Sequence, residues 1–208
     1  MNDKLNNLFR LTKEHIKQAC KVSGRAFQDD PVTKYMFPDE IERREKVLYG
    51  FVPIFKHGIR NGEVYATSEN LEGIAVWIPP KKVHQSIWSM MRHGGFHAMR
   101  KTGFKAMKKG MPIYKYIGPA HKRLAPFDHW YLQSIAVEPE EQGKGYGSSL
   151  LRSMITKIDN EGLPIYLETN TEKNMVYYQK FGFEVVEHVI IPKTEIPIWF
   201  MLRKSQKI

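Results

Sequence analysis

Gln142-Gly143-Lys144-Gly145-Tyr146-Gly147 is a stretch whose residue types and spacing could do chemistry. It follows an aliphatic and aromatic run, Trp130 to Val137, that reads as a buried strand. Glu138-Pro139-Glu140-Glu141 must end that strand, because proline cannot donate to a ladder. Directly after the glycines, Leu150, Leu151, Met154, Ile155 and Ile158 recur at the spacing of one helix face. Strand, glycine loop and helix together make an anion trap. Amides in the first helical turn have no intrahelical partner, and the helix dipole favours negative charge there. Glycines carry no Cβ to hold a ligand off the backbone, and Lys144 adds a positive charge. Phosphate or pyrophosphate is the guest this chemistry predicts.

The type of phosphate loop is decided by the residues flanking the glycines. A P-loop, G-x-x-x-x-G-K-[ST], is excluded because Ser148-Ser149 follows Gly147. A dinucleotide fingerprint would need glycine at position 148, and only about 40 residues follow Glu168, too few for the usual doubly wound sheet. A third pattern, Q/R-x-x-G-x-G/A, is met by Gln142, Gly145 and Gly147. In this the loop resembles the pyrophosphate loop of the GNAT superfamily of N-acetyltransferases, which holds acetyl-CoA. A glycine-rich turn without a ligand is the competing reading of the loop alone.

A second pattern supports the resemblance. Tyr178-Gln179-Lys180-Phe181-Gly182-Phe183 matches the family's Y-x-x-x-G-F, one strand and one helix after the loop, where that family has it. Puromycin N-acetyltransferase-like members are the nearer likeness, on Gln142-Gly143-Lys144-Gly145, Leu167-Glu168-Thr169, Asn174 and Gly182-Phe183. The likeness covers Trp130 to Lys204 well, with weaker echoes in Ala75-Val76-Trp77 and the N-terminal helix. Many members have Asn seven and Ala four residues before the tyrosine, whereas this chain has Thr171 and Asn174.

The resemblance implies direct attack of an amine on the acetyl-CoA thioester with no acyl-enzyme, so Cys20 need not be a nucleophile. It implies that Gln142, Gly143, Lys144, Gly145, Tyr146 and Gly147 hold the pyrophosphate. It also implies that backbone amides at Ile135, Ala136 and Val137 pair with the pantetheine arm, one of them serving the oxyanion. Asn174 is a further coenzyme contact. Tyr178 corresponds to the general acid, a phenol that stays protonated at neutral pH and can donate to a departing thiolate. Tyr177, one residue earlier, reads as core. Glu168 ends a strand beside the coenzyme strand. It could deprotonate an ammonium directly or through water, and could equally serve a salt bridge or turn. His129 is a poorer candidate because it begins its strand, farther from the loop.

These residues must be positioned by the rest of the 208-residue chain, read as one domain over 1–208 with an insertion at about 81–127. Hydrophobic content of 42% and charged content of 26% are ordinary for a globular protein. A single cysteine, Cys20, excludes an internal disulfide framework, and no C-x-x-C or H-E-x-x-H motif suggests a metal. The first twenty residues lack a signal-peptide pattern, and no apolar run approaches the ~18 residues of a membrane span, so a cytoplasmic location is expected.

Strands are expected near Leu8–Leu11, Glu63–Thr67, Gly73–Ile78, Trp130–Val137, Ile165–Thr169, Phe183–Ile191 and Ile198–Leu202. Helices are expected after Thr12, after a capping box at Asp39-x-x-Glu42 in which Pro53 should kink or break the helix, after the glycine loop, and over Glu172–Lys180. Phe27 to Pro38 reads as an irregular loop, either an acceptor wall or a segment anchored by Tyr35 and Phe37. The order βααββ(insertion)βαβαββ indicates an α/β fold. Its GNAT-like form is a mixed, mostly antiparallel central sheet flanked by helices.

The net charge of +10 is concentrated in one place. Lys81 to Phe127 holds eleven Lys/Arg and no Asp/Glu, while the remainder holds 21 basic and 22 acidic residues. The segment reads as a mostly helical insertion interrupted at Gly94-Gly95, Gly103, Gly110 and Gly118, on the acceptor side. Its histidines, His84, His93, His97 and His121, read as solvated or lightly packed. Its aromatics and bases would also suit phosphate contacts and base stacking, but no RNP, KH or zinc-finger pattern accompanies them, so a nucleic-acid partner is not favoured. The expected acceptor is the amine of a small molecule. A protein lysine or N-terminus is the alternative, and a second copy of the chain stays open as a partner.

Overall fold

Seven strands form one sheet in the computed structural model, which describes residues 7–84 and 87–206. Of the first twenty residues, read above for a signal-peptide pattern, 1–6 lie outside these residues. In chain order the strands are β1 (Phe9–Arg10), β2 (Glu63–Ala66), β3 (Gly73–Ile78), β4 (Trp130–Val137), β5 (Ile165–Thr169), β6 (Glu184–Ile190) and β7 (Pro197–Arg203). Across the sheet they run β1-β2-β3-β4-β5-β7-β6, antiparallel throughout except for the parallel pair β4–β5.

That parallel pair is short. Trp130 pairs with Ile165 and Tyr131 with Tyr166, and there the pairing stops although β4 continues to Val137. A bulge accompanies the parting: Trp77 faces Leu132 and Val76 faces Ser134, so Gln133 is an extra residue in β4. An extra residue bends its strand and re-aims the residues beyond it. β4 and β5 therefore open into a V on their C-terminal side.

Helices cover both faces. α1 (Ile16–Ala26) and α3 (Glu40–Asn61) pack on Val64, Ile74, Val76 and Ile78. On the same face, α6 (Phe104–Leu124) packs Ile113 and Ala120 on Tyr166, Ile198 and Phe200. On the opposite face, α7 (Tyr146–Glu161) buries Leu150, Leu151, Met154 and Ile158 against Trp77, Leu132 and Leu167. This cluster also takes in Tyr178 from α8 (Glu172–Gln179).

Several local expectations are corrected. Phe27 to Pro38 contains a short helix, α2 (Pro31–Met36), because Asp30 caps it by accepting from the Val32 and Thr33 amides and Pro31 stands at its first position. Phe37 is buried, and Tyr35 packs against the α6 cluster. α3 runs unbroken through Pro53, as packing of Val47, Phe51 and Phe55 outweighs the one lost hydrogen bond. Asp39 caps that helix, but Glu42 turns to Lys46 instead of completing a box.

The segment 81–127 is mostly helical, as expected. It comprises α4 (Ile87–Met90), a turn through Met91–Gly95, α5 (Phe96–Thr102) and α6. Gly94 and Gly103, at positive φ, do interrupt it; Gly110 and Gly118 lie inside α6, which also accommodates Pro112 and Pro119. Among the described residues no helix is long and apolar enough to cross a membrane.

Candidate active site

The V between β4 and β5 exposes β4's backbone to a ligand, and alternation decides which amides face it. Glu138 N–H donates to Glu72 on the β3 side, while the Gly73 carbonyl opposite Val137 is spent on the amide of Thr67, just after β2. Val137 and, two residues back, Ile135 therefore turn their N–H groups away from β3 and into the V. Ala136, grouped with them on the family resemblance, turns its amide into the β3 ladder. Of the three, Ile135 and Val137 can serve a ligand.

Beyond Val137 the chain makes a 3-10 turn over Pro139–Glu141 and enters α7 through the glycines. Gly143 and Gly145 hold φ +84 and +90, the left-handed region that a side chain resists. No atom lies within 4 Å of where a Cβ on either would stand. Gly145 is the N-cap of α7 and offers no side chain, so the amides of the first turn have no cap. Open space in front of an uncapped 16-residue helix fits the pyrophosphate of acetyl-CoA.

Gly147 plays a different part from the other glycines. A Cβ there would stand 3.1 Å from the Tyr177 hydroxyl and 3.5 Å from Val137 Cγ2, so its absence lets α7 seat closely on α8 and β4. Tyr146 is half-buried beside it. Gln142 Nε2 donates to the Val137 carbonyl at 3.3 Å. Lys144 is exposed and pairs with Glu141 at 2.8 Å, so its charge is already partly met.

Tyr178 is buried on the α7–α8 face, its ring edge-on to Tyr177 and Phe183. Burial, and secondarily Tyr177, raise its phenol well above the ordinary value, so it stays a proton donor. Tyr177, read from sequence as core, is half-buried, and its hydroxyl lies 3.1 Å from Ser148 Oγ in the first turn of α7. One residue's rotation on α8 carries it to the loop. Asn174 is exposed in the first turn of α8, and its backbone amide is capped by Thr171 Oγ1.

Glu168 belongs to the other face. On β5 it alternates with Leu167 and so shares the α6 side with Tyr166. Its side chain is 8% exposed, and Oε1 is buried without a hydrogen-bond partner. Burial raises its carboxyl to about 7, an effect that Tyr131 and Tyr166 beside it partly offset. The Tyr166 hydroxyl is itself buried without a partner, so it leaves Oε1 of the carboxylate unsatisfied. His121 Nδ1, from the last turn of α6, stands 3.8 Å from Glu168 Oε1.

His121 and His93, expected to be solvated or lightly packed, are buried at 6% and 8% exposure; His84 and His97 are exposed. His129 is fully buried and bonds His121, Nε2 to Nε2, at 2.8 Å. Sequence reasoning missed this link, because no motif joins an insertion helix to the residue before β4. Cys20 is buried between α1 and α3, and burial pushes its thiol up to about 12, which removes it as a nucleophile.

Comparison with known proteins fits this geometry. Residues 106–185 match the family model described as Acetyltransferase (GNAT) domain. An uncharacterized N-acetyltransferase of Schizosaccharomyces pombe is 28% identical over 207 residues, spanning 95% of this chain and 83% of the relative. Among solved structures, a histone acetyltransferase HPA2 and related acetyltransferase from Corynebacterium glutamicum superposes with a TM-score of 0.68, at 21% identity over 96% of both chains. Arylalkylamine N-acetyltransferase 2 from Aedes aegypti gives 0.58, at 9% identity over 96% of this chain and 98% of that one. The α/β fold is that of the GNAT acetyltransferases, residues 106–185 match their domain model, and with the aligned relative these findings support an acetyl-CoA-dependent acyltransferase.

Proposed function

We propose that the chain transfers an acetyl group to the amine of a small molecule, with Glu168 as general base and Tyr178 as general acid. The observation that carries this reading is Glu168 itself, a carboxylate 8% exposed beneath α6, with its proton affinity raised into the neutral range. A base this enclosed suits a compact amine that can enter beside the sheet better than a folded protein surface. The resemblance to puromycin N-acetyltransferase-like members supports the same acceptor class.

Acetyl-CoA, when bound, supplies the acetyl group as a thioester and accepts a proton on its departing sulfur. The chain's residues do the remainder. The α7 first turn with Gly143 and Gly145 would hold the pyrophosphate, and Ile135 and Val137 amides would align the arm along β4. Glu168 accepts the ammonium proton, which frees the nitrogen lone pair. One of the two β4 amides donates to the carbonyl oxygen as it gains charge. Tyr178, on the opposite face from Glu168, gives its proton to the leaving sulfur, and the second proton shed by the nitrogen after attack passes through solvent to restore the phenol. Base and acid thus approach the reacting carbon from two sides of the sheet and do not compete for one proton.

A screen of small amines, lysine peptides and free N-termini with acetyl-CoA, scored by thiol release, tests the reading. Turnover of small amines that Glu168→Gln depresses is expected. Turnover confined to peptides or protein N-termini would transfer the assignment to the alternative acceptor.

A further inference from the structure

The bond between two buried histidines fixes where their protons are. His129 Nδ1 lies 2.7 Å from the Phe127 carbonyl, which can only accept, so Nδ1 carries the hydrogen. A neutral His129 then has a bare Nε2. His121 Nε2, 2.8 Å away, must donate to it, which leaves His121 Nδ1 bare in turn. Both rings are neutral at ordinary pH, because burial lowers each of them, His121 to about 3. The His121 ring is held in this orientation by stacking on Tyr166, with centroids 4.1 Å apart and planes at 18°.

The bare Nδ1 is the atom that stands 3.8 Å from the unpartnered Oε1 of Glu168. Two acceptors face each other while Glu168 is a carboxylate. Once Glu168 gains a proton, its O–H can donate to that lone pair and the gap can close to a hydrogen bond. A partner that bonds only the protonated form strengthens the base.

We propose that His121 and His129 form a positioning pair for general-base catalysis, in which His129 locks the tautomer of His121 so that Nδ1 can receive the O–H of Glu168 after proton transfer. The proton remains on the Glu168 oxygen, no covalent bond to either histidine forms, and it returns to solvent after the product leaves. The proposal rests on Glu168 being the base.

The other titratable groups around Glu168 are shifted away from neutral pH. Tyr131 and Tyr166, from β4 and β5, are raised by burial, and His84, against the other side of His121, is lowered by burial. The charges nearest this cluster are Lys122 beside His84, Asp128 beside His129, and Glu187 acting on Tyr166, itself paired with Arg123.

Long-range 1H–15N correlation spectra of wild-type protein labelled at histidine nitrogen read the tautomers directly. Bare Nδ1 on His121 and bare Nε2 on His129 from pH 6 to 8 are expected. A hydrogen on His121 Nδ1, or a charged ring there, overturns the proposal whether or not any variant folds. The second arm is the pH profile of kcat/KM with a working amine. His121→Phe keeps the stack and removes the acceptor. His129→Phe frees His121 to adopt the Nδ1–H tautomer, which would donate to the carboxylate. Each should move the limb assigned to Glu168 to lower pH by about one unit. A merely structural role would lower the plateau and leave the limb in place. If Glu168→Gln loses the limb while both histidine variants keep it unmoved, the positioning pair is wrong and the base assignment stands. If the limb survives in Glu168→Gln, both fail.

Discussion

On the α7 side of the sheet, the Gln142–Gly147 loop offers backbone donors in open space, with its one lysine already engaged by Glu141. On the α6 side, Glu168 is closed over by Tyr131, Tyr166 and His121 and keeps an unpartnered oxygen. On the proposed reading the first region recognises charge that is already present in its ligand, so fixed dipoles in solvent suffice. The second would change charge during the reaction, and a site that changes charge gains from being dry, where small rearrangements alter proton affinity strongly. On that reading one sheet carries a binding site built from main chain and a chemical site built from buried side chains.

The contrast can be broken most severely at Gly145. Gly145→Val puts a branched residue at φ +90 and a side chain into the open space before α7. Acetyl-CoA binding by calorimetry should become undetectable while far-UV circular dichroism keeps its helical signal. Unchanged affinity in a folded variant would remove the loop from the binding site.

Glu168→Gln and Tyr178→Phe test the chemical side. Each should lower single-turnover acetyl transfer by ~10²–10⁴-fold, the usual worth of a general acid or base, with coenzyme affinity kept. Wild-type activity should climb with pH through about 7 as Glu168 ionises, and the Glu168 variant should lack that limb. Equal single-turnover rates for wild type and Tyr178→Phe from pH 6 to 9 would leave Tyr178 as a packing residue.

Stability sharpens the comparison further. The Glu168 carboxyl is raised to about 7 in the folded protein against about 4.3 in an unfolded chain. The folded state binds the extra proton between those values, so this group's contribution is present at low pH and is lost as pH rises towards 7. Glu168→Gln should therefore melt at a higher temperature than wild type at pH 8, with the difference narrowing towards pH 5. A lower melting temperature at pH 8 would show the carboxylate to be structurally satisfied. The smallest effect is expected at Lys144, whose exposed ion pair is screened by solvent. Lys144→Ala should change coenzyme affinity by less than about tenfold, within the reach of one exposed charge.

Much of the binding side was legible in the chain because it is contiguous. Strand, loop and helix are one run of residues, and glycine spacing carries the backbone geometry directly. The place of Tyr178 on α8 was legible through a short pattern of the same kind. The bulge at Gln133 was not, so the selection of Ile135 and Val137 over Ala136 could not be made from residue types. The α6 side was harder to read. His121 and His129 are eight residues apart in sequence, yet they meet only because α6 ends above the start of β4. The prolines misled in a similar way, since packing over Phe51 and Phe55 holds α3 together across Pro53. At Asp30-Pro31 the signal of a helix start was present in the sequence, and it prevails over the irregular reading of that stretch.

The two-residue pairing of β4 with β5 bears on how the sheet breathes. Strands β1 to β4 and β5 to β7 share a ladder only at Trp130–Ile165 and Tyr131–Tyr166, so the two halves of the sheet meet along a short seam. The Ile135 and Val137 amides, turned into the V, lack a strand to shield them and should exchange their hydrogens with deuterated solvent quickly. A pantetheine arm lying between the strands would stand in for the missing rungs. Slowed exchange at these two amides on adding coenzyme would then report the closing of the seam, residue by residue, before any acetyl group moves.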